Sequence, residues 1–111
     1  MPKLIAENIK GKRALDFGCG TGRSTRFLKN LGLDVVGIDI SLSMIRVARK
    51  ADPEGDYRHV READFSTLEK GSFDLVLSAF TCDNIPEGSK VRIFRGLRNL
   101  LRPSGRIINM V

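Results

Sequence analysis

Residues Arg13 to Gly22, which read Arg-Ala-Leu-Asp-Phe-Gly-Cys-Gly-Thr-Gly, constrain this chain more than any other stretch. A short apolar run bounded by turn residues is a buried strand entering a tight loop. Gly18, Gly20 and Gly22 let the backbone turn sharply and approach a ligand without Cβ collisions. The loop opens a helix from Arg23 to Leu31, with Phe27, Leu28 and Leu31 as its apolar positions and Gly32 placed to cap its end. Exposed N–H groups at the start of that helix would face the ligand.

The same alternation continues along the chain. Asp34 to Asp39 reads as a second strand, and Ser41 caps a helix whose apolar positions are Leu42, Met44, Ile45 and Ala48. Asp52-Pro53-Glu54-Gly55 stops that helix, because proline restricts the residue before it and glycine breaks helical order. Tyr57 to Arg61 reads as a third strand, and Asp64 to Gly71 as a loop with one helical turn. Phe73 to Ser78 is the most apolar strand, and its near-continuous run implies burial on both faces. Ser89 to Leu101 reads as a helix with Val91, Phe94, Leu97 and Leu101 inward and Arg92, Arg95, Arg98 and Arg102 on another arc. Arg102-Pro103-Ser104-Gly105 reads as a turn, and Arg106 to Val111 as a fifth strand.

Strands alternating with helices predict one α/β domain, a three-layer sandwich with helices on both faces of a mostly parallel sheet. The expected strand order is 3-2-1-4-5, and ligands of such sheets sit beyond the carboxyl ends of the strands at the switch point. The glycine loop stands at that place. At 111 residues the chain is a single domain. Its 19 Lys+Arg against 13 Asp+Glu give a net charge of +6, which raises the question of nucleic acid or another anionic partner. Solvated arginine-rich helix faces are the plainer reading, since no Lys/Arg run exceeds two residues and no aromatic cluster offers base stacking. Cys19 and Cys82 are too few for a disulfide framework, and with no signal peptide the expected compartment is the reducing cytoplasm. No apolar stretch approaches the roughly 20 residues of a membrane span. No metal-ligand set is read.

Spacing separates two kinds of glycine loop. A dinucleotide-binding loop wants G-x-G-x-x-G, whose third glycine packs helix on strand. Here the pattern is G-x-G-x-G, and Arg23 stands where that third glycine would be. Asp16 precedes the loop by two positions, and a carboxylate there repels a pyrophosphate but suits a cationic ligand. Asp39 ends the second strand, where a carboxylate can accept from both hydroxyls of a ribose, the reading that the upstream glycine loop favours; the alternative is an acidic group favoured by the dipole of the following helix.

Ala14-Leu15-Asp16-Phe17-Gly18-Cys19-Gly20-Thr21-Gly22 resembles the first motif of class I S-adenosylmethionine (SAM) dependent methyltransferases. Val36-Gly37-Ile38-Asp39-Ile40-Ser41, followed by Met44, resembles their second-strand motif, and Ala63-Asp64-Phe65 their adenine-contacting loop. Gly71 to Val76 is similar to their fourth strand, and Leu100 to Arg106 to their entry into the fifth. The resemblance implies a Rossmann-like, SAM-binding core. It implies that Gly18, Cys19, Gly20, Thr21 and Gly22 admit the methionine and ribose parts of SAM, that Asp16 lies near the amino or sulfonium region, and that Asp39 binds the ribose. Ile40 and Met44 would pack on adenine, with ordinary core packing as the alternative. Asp64 would accept from the exocyclic amine with Phe65 alongside, and Ser78, Ala79 and Phe80 would line the path to the acceptor, with plain core packing as the equal alternative for Phe80. Asp83 and Asn84 are the candidate acceptor contacts, the alternative being a polar loop turning at Pro86. His59, the only histidine, reads as a strand-surface or packing residue, and no catalytic base is assigned.

Two departures bear on function. The Phe80 to Pro86 segment lacks the Asn/Asp-Pro-Pro-aromatic motif of enzymes that methylate planar amines in DNA or protein, so a small-molecule acceptor is expected, with S-adenosylhomocysteine (SAH) as the product. The family fold has further strands beyond a fifth, so the expectation is a trimmed core, or one completed by another chain or by self-association along the fifth-strand edge. A non-catalytic SAM-binding module, a nicotinamide-dependent oxidoreductase and an RNA-associated module using Arg92, Arg95, Arg98 and Arg102 are the alternatives. The glycine spacing and Asp16 count against the second.

Overall fold

Five strands form one sheet in the order β3-β2-β1-β4-β5, with every pairing parallel. The structure is a computed structural model that describes residues 12–61, 64–78 and 87–109. In chain order its elements are β1 (Arg13–Phe17), α1 (Arg23–Asn30), β2 (Asp34–Asp39), α2 (Leu42–Ala51), β3 (Asp56–His59), β4 (Phe73–Ser78), α3 (Glu87–Leu100) and β5 (Leu101–Asn109).

Side chains alternate across a strand, so each strand feeds two layers. Leu15, Phe17, Val36, Ile38 and Val76 face α3, where Ile93, Leu97 and Leu100 meet them. Ala14, Val35, Leu75 and Leu77 face the other way and pack on Leu28 of α1. Ile45 and Ala48 of α2 close over Tyr57 and Cys19 on that second side. Helices therefore cover both faces, and β1 and β4, enclosed at the centre, carry the apolar runs.

Local chemistry sets the ends of the helices. Ser41 caps α2 by accepting the Met44 N–H at 3.3 Å. Asp52 closes α2, its N–H donating to the Ala48 carbonyl at 2.9 Å. Gly32 follows α1 with φ 98°, a left-handed value that glycine adopts without a Cβ penalty.

Three expectations change. Val91 is 57% exposed, and the buried stripe of α3 is Ile93, Leu97 and Leu100, with Phe94 only partly covered. Both sets obey helical spacing and share Leu97, so the sheet and the loop after β3 choose between them. The third strand is Asp56–His59 and ends before Arg61. The expected turn at residues 102–105 lies inside β5: Leu101 pairs with Phe73 and Arg106 with Leu75, so four residues bulge opposite Asp74. Pro103, which cannot donate to the ladder, falls within that bulge.

Candidate functional site

The carboxyl ends of β1 and β2 meet at the glycine loop. Gly18 and Cys19 both donate their N–H groups to the Ile38 carbonyl, at 2.9 and 3.0 Å. Gly22 N–H donates to the Cys19 carbonyl at 2.9 Å, and Gly20 N–H to Asp39 Oδ2 at 2.8 Å. Thr21 offers its carbonyl to Arg26 at 3.1 Å. The N–H groups of Gly18, Cys19, Gly20 and Gly22 are thus spent within the protein, and the first N–H bonded inside α1 is that of Arg26, to the Gly22 carbonyl, so the N–H groups expected to face a ligand are those of the first turn of α1 and not those of the loop. A ligand that brings its own donors, an ammonium or a diol, suits the carboxylates of Asp16 and Asp39 that stand here.

The shape of the loop requires glycine, as Gly20 and Gly22 show. Gly20 has φ 56° and open space where a Cβ would stand. Gly22 has φ 90°, and a Cβ there would lie 2.9 Å from the Tyr57 hydroxyl and 3.0 Å from its ring. Tyr57 thus props the loop from below. Its hydroxyl donates to Asp52 at 2.7 Å, and Lys29 pairs with the same oxygen at 2.9 Å, tying β3, α2 and α1 together beneath the loop.

Asp16 is fully buried at the end of β1. The hydroxyls of Ser24 and Thr25, in the first turn of α1, donate to its Oδ2 at 2.6 and 2.7 Å. Its Oδ1 is buried without a hydrogen-bond partner among the described residues. Burial pushes the carboxyl pKa up, opposed by the two hydroxyl bonds and reinforced by the charge of Asp39. An ionised carboxylate with one idle, buried oxygen is costly unless a cation answers it. Cys19 lies between the two acids, and burial pushes its thiol up to about 12, with the charges of Asp16 and Asp39 adding to the rise.

Asp39 stands at the entry to α2, as the helix-dipole alternative has it. Its Oδ1 accepts the Ser41 N–H at 2.9 Å at the entry to α2, while Oδ2 holds the glycine loop. Each oxygen keeps a second lone pair for a ligand hydroxyl. Ile40 is 60% exposed and Met44 is 43% exposed, so neither is core; both leave apolar surface open beside Asp39. His59 is exposed and its Nε2 lies 3.0 Å from the Ile40 carbonyl, which fits the strand-surface reading.

Asp64 is exposed and accepts both the N–H and the hydroxyl of Ser66 on one oxygen, which holds its carboxyl below the usual carboxylate range. Phe65 is seated among core residues, edge-on to Phe17 at 5.9 Å between ring centroids. Ser78 ends β4 in register with Phe17, its hydroxyl buried and unpartnered among the described residues. Ala79, Phe80, Cys82, Asp83 and Asn84 lie outside the described residues.

The site thus gathers Asp16, residues 18–22, Asp39, Ile40 and Met44 around one end of the sheet. Sequence reasoning missed Ser24, Thr25 and Tyr57. Ser24 and Thr25 were legible as hydroxyls in the first turn after the loop, whereas Tyr57 gave no signal beyond its strand.

Comparison with known proteins identifies the family. Residues 15–109 match the family described as the methyltransferase domain. The chain is 31% identical over 104 residues to a ubiquinone biosynthesis O-methyltransferase from Xanthomonas oryzae, covering 90% of this chain and 43% of that protein. It superposes with a TM-score of 0.79 and 30% identity on an S-adenosylmethionine dependent methyltransferase from Mesorhizobium loti, covering 91% of this chain and 47% of the other. Phosphoethanolamine N-methyltransferase 2 from Haemonchus contortus, solved with S-adenosyl-L-methionine, gives a TM-score of 0.78 at 28% identity, over 91% of this chain and 24% of that one. The chain belongs to the methyltransferase domain family, with the class I, Rossmann-like fold. It spans less than half the length of the curated relative named above.

Proposed function

We propose that this chain binds SAM at the carboxyl ends of β1 and β2 and forms the cofactor half of a methyltransferase acting on a small-molecule acceptor. The observation that carries the reading is Asp16: a buried carboxylate with one oxygen unpartnered among the described residues, beside a glycine loop in which the N–H groups of Gly18, Cys19, Gly20 and Gly22 are bonded within the protein. That arrangement asks for a cationic ligand. SAM carries an ammonium and a sulfonium, a ribose diol and a flat base. The residues fit these in turn, with Asp16 toward the positive end, Asp39 on the diol, Ile40 and Met44 against the base, and Asp64 on its amine.

Bound SAM supplies an electrophilic methyl group on sulfur. The chain's part is to hold that group still and aligned, and orientation alone contributes about 7–11 kcal/mol in well-aligned reactions. Ser78 stands at the end of β4, where the path toward an acceptor would open. A small acceptor is supported by the Phe80 to Pro86 segment, which lacks the amine-methylating motif, and a hydroxyl is the first acceptor atom to test because the Xanthomonas relative is named an O-methyltransferase. A reducing, cytoplasmic setting is supported by the two-cysteine composition and by Cys19, a free buried thiol. Among the described residues no helix is long and apolar enough to cross a membrane.

The test is incubation with SAM labelled on its methyl group and a panel of hydroxylated small molecules. Labelled product that disappears in Asp39→Ala supports the reading. SAH binding without transfer to any acceptor would instead favour a SAM-binding module that needs further chain or a partner.

A further inference from the structure

Phe65 sits in a notch in α3, and Gly96 makes the notch. Gly96 lies within the helix, where glycine is a poorer helix former than alanine. A Cβ built there would stand 2.5 Å from Phe65 Cδ2 and 2.6 Å from Cε2. These are atoms of a rigid ring, so the whole ring would have to swing away. It has little freedom to do so, because it also meets Phe17 edge-on at the end of β1, directly before the glycine loop. The loop that follows is pinned as well. Leu68 N–H donates to the Phe65 carbonyl at 3.0 Å, and Arg58 donates to the Thr67 carbonyl at 2.9 Å. Asp64, the neighbour of Phe65, makes its side-chain bonds only to Ser66 among the described residues. Its backbone N–H donates to the Arg61 carbonyl at 3.0 Å, so Asp64 is held between that bond and the seated Phe65.

We infer that Gly96 and Phe65 are positioning residues for adenine recognition: the missing side chain at Gly96 seats Phe65, and Phe65 so seated places Asp64 to accept from the exocyclic amine. The inference rests on the SAM reading. It makes α3, on the face of the sheet away from α1 and α2, a determinant of which base the site accepts.

The test compares SAH with S-inosylhomocysteine, in which a carbonyl oxygen replaces the amine. Wild-type protein is expected to prefer SAH by about tenfold or more, the worth of one hydrogen bond to a charged group. Gly96→Ala is expected to remove most of that preference, leaving affinity for the inosine compound within about twofold of wild type. Phe65→Leu, which leaves the helix unchanged, is expected to give the same selective loss and serves if Gly96→Ala does not fold by circular dichroism. Equal weakening of both ligands, or no change in either, would overturn the inference and leave the notch as core packing. A wild type that binds SAH without preference would remove Asp64 from the site, and the inference with it, while the SAM reading stands. A wild type that binds neither ligand would overturn both.

Discussion

Gly37 gives the sharpest test of how the glycine loop is supported. It lies in β2, and a Cβ there would stand 2.9 Å from Thr25 Oγ1, 3.0 Å from Tyr57 Cδ1 and 3.1 Å from Cys19 Cβ. Two of those neighbours are held by short bonds, Thr25 to Asp16 at 2.7 Å and Tyr57 to Asp52 at 2.7 Å. Gly37→Ala therefore sets two effects against each other. Reduced freedom of the unfolded chain stabilises by about 0.4–1 kcal/mol, because φ at Gly37 is not positive and alanine fits the backbone. Overpacking costs about 1–3 kcal/mol, toward the upper end where neighbours cannot yield. The net is a loss of about 1–2.5 kcal/mol. For 111 residues the entropy of unfolding is about 0.23 kcal/mol/K, so Tm should fall by about 4–10 °C. SAH affinity should fall with it, because the displaced groups are Cys19 of the loop and the hydroxyl that holds Asp16. Gly88→Ala is the control: it lies in the first turn of α3 with open space around it, and should raise Tm by up to about 4 °C. Thermal unfolding followed by circular dichroism reads both. Gly37→Ala as stable as wild type would refute the close convergence of α1, β3 and the loop on β2.

Two further outcomes follow from the buried acids. The folded-state pKa of Asp16 is raised above the ordinary 3.8, so the folded chain keeps a proton that the unfolded chain has lost, and stability declines as pH rises through that window. Asp16→Asn lacks this decline, so urea unfolding between about pH 3.5 and 7 should show wild type losing stability relative to the variant as pH rises. A constant difference, or one that grows in the wild type's favour, would contradict the burial of an uncompensated carboxylate. Cys19, its thiol pushed up to about 12, should resist iodoacetamide at about pH 8 in the folded protein and react in urea, as mapped by peptide mass spectrometry. Rapid modification of folded protein at Cys19 would place that thiol outside the core.

Much of the fold was legible because periodicity and punctuation agreed. β1, β2 and β4 fall where apolar runs end at glycine, aspartate or serine, and α2 stops at Asp52-Pro53. Where two apolar stripes were equally regular, as with Val91 and Ile93 on α3, spacing could not choose, since the choice lies in what packs opposite. The β5 bulge was hidden for a similar reason: Pro103 and Gly105 announce a break, and the strand after it was legible, but not that Leu101 before the break already pairs with Phe73. In the site, Asp16, Asp39 and the three glycines could be read because residue type and order carry their chemistry. The spent N–H groups of the loop could not, because they depend on φ values and on where the Ile38 carbonyl points. Gly96 was hidden too, because its partner Phe65 is far away in sequence.

The central claim is that this site is built for a cationic adenosyl ligand and not for a dinucleotide. Calorimetric titration of the chain with SAH, and separately with NAD, addresses it directly. The account predicts micromolar binding of SAH and no measurable heat with NAD. NAD binding as tightly as SAH, or a folded chain that binds no SAH, would contradict it.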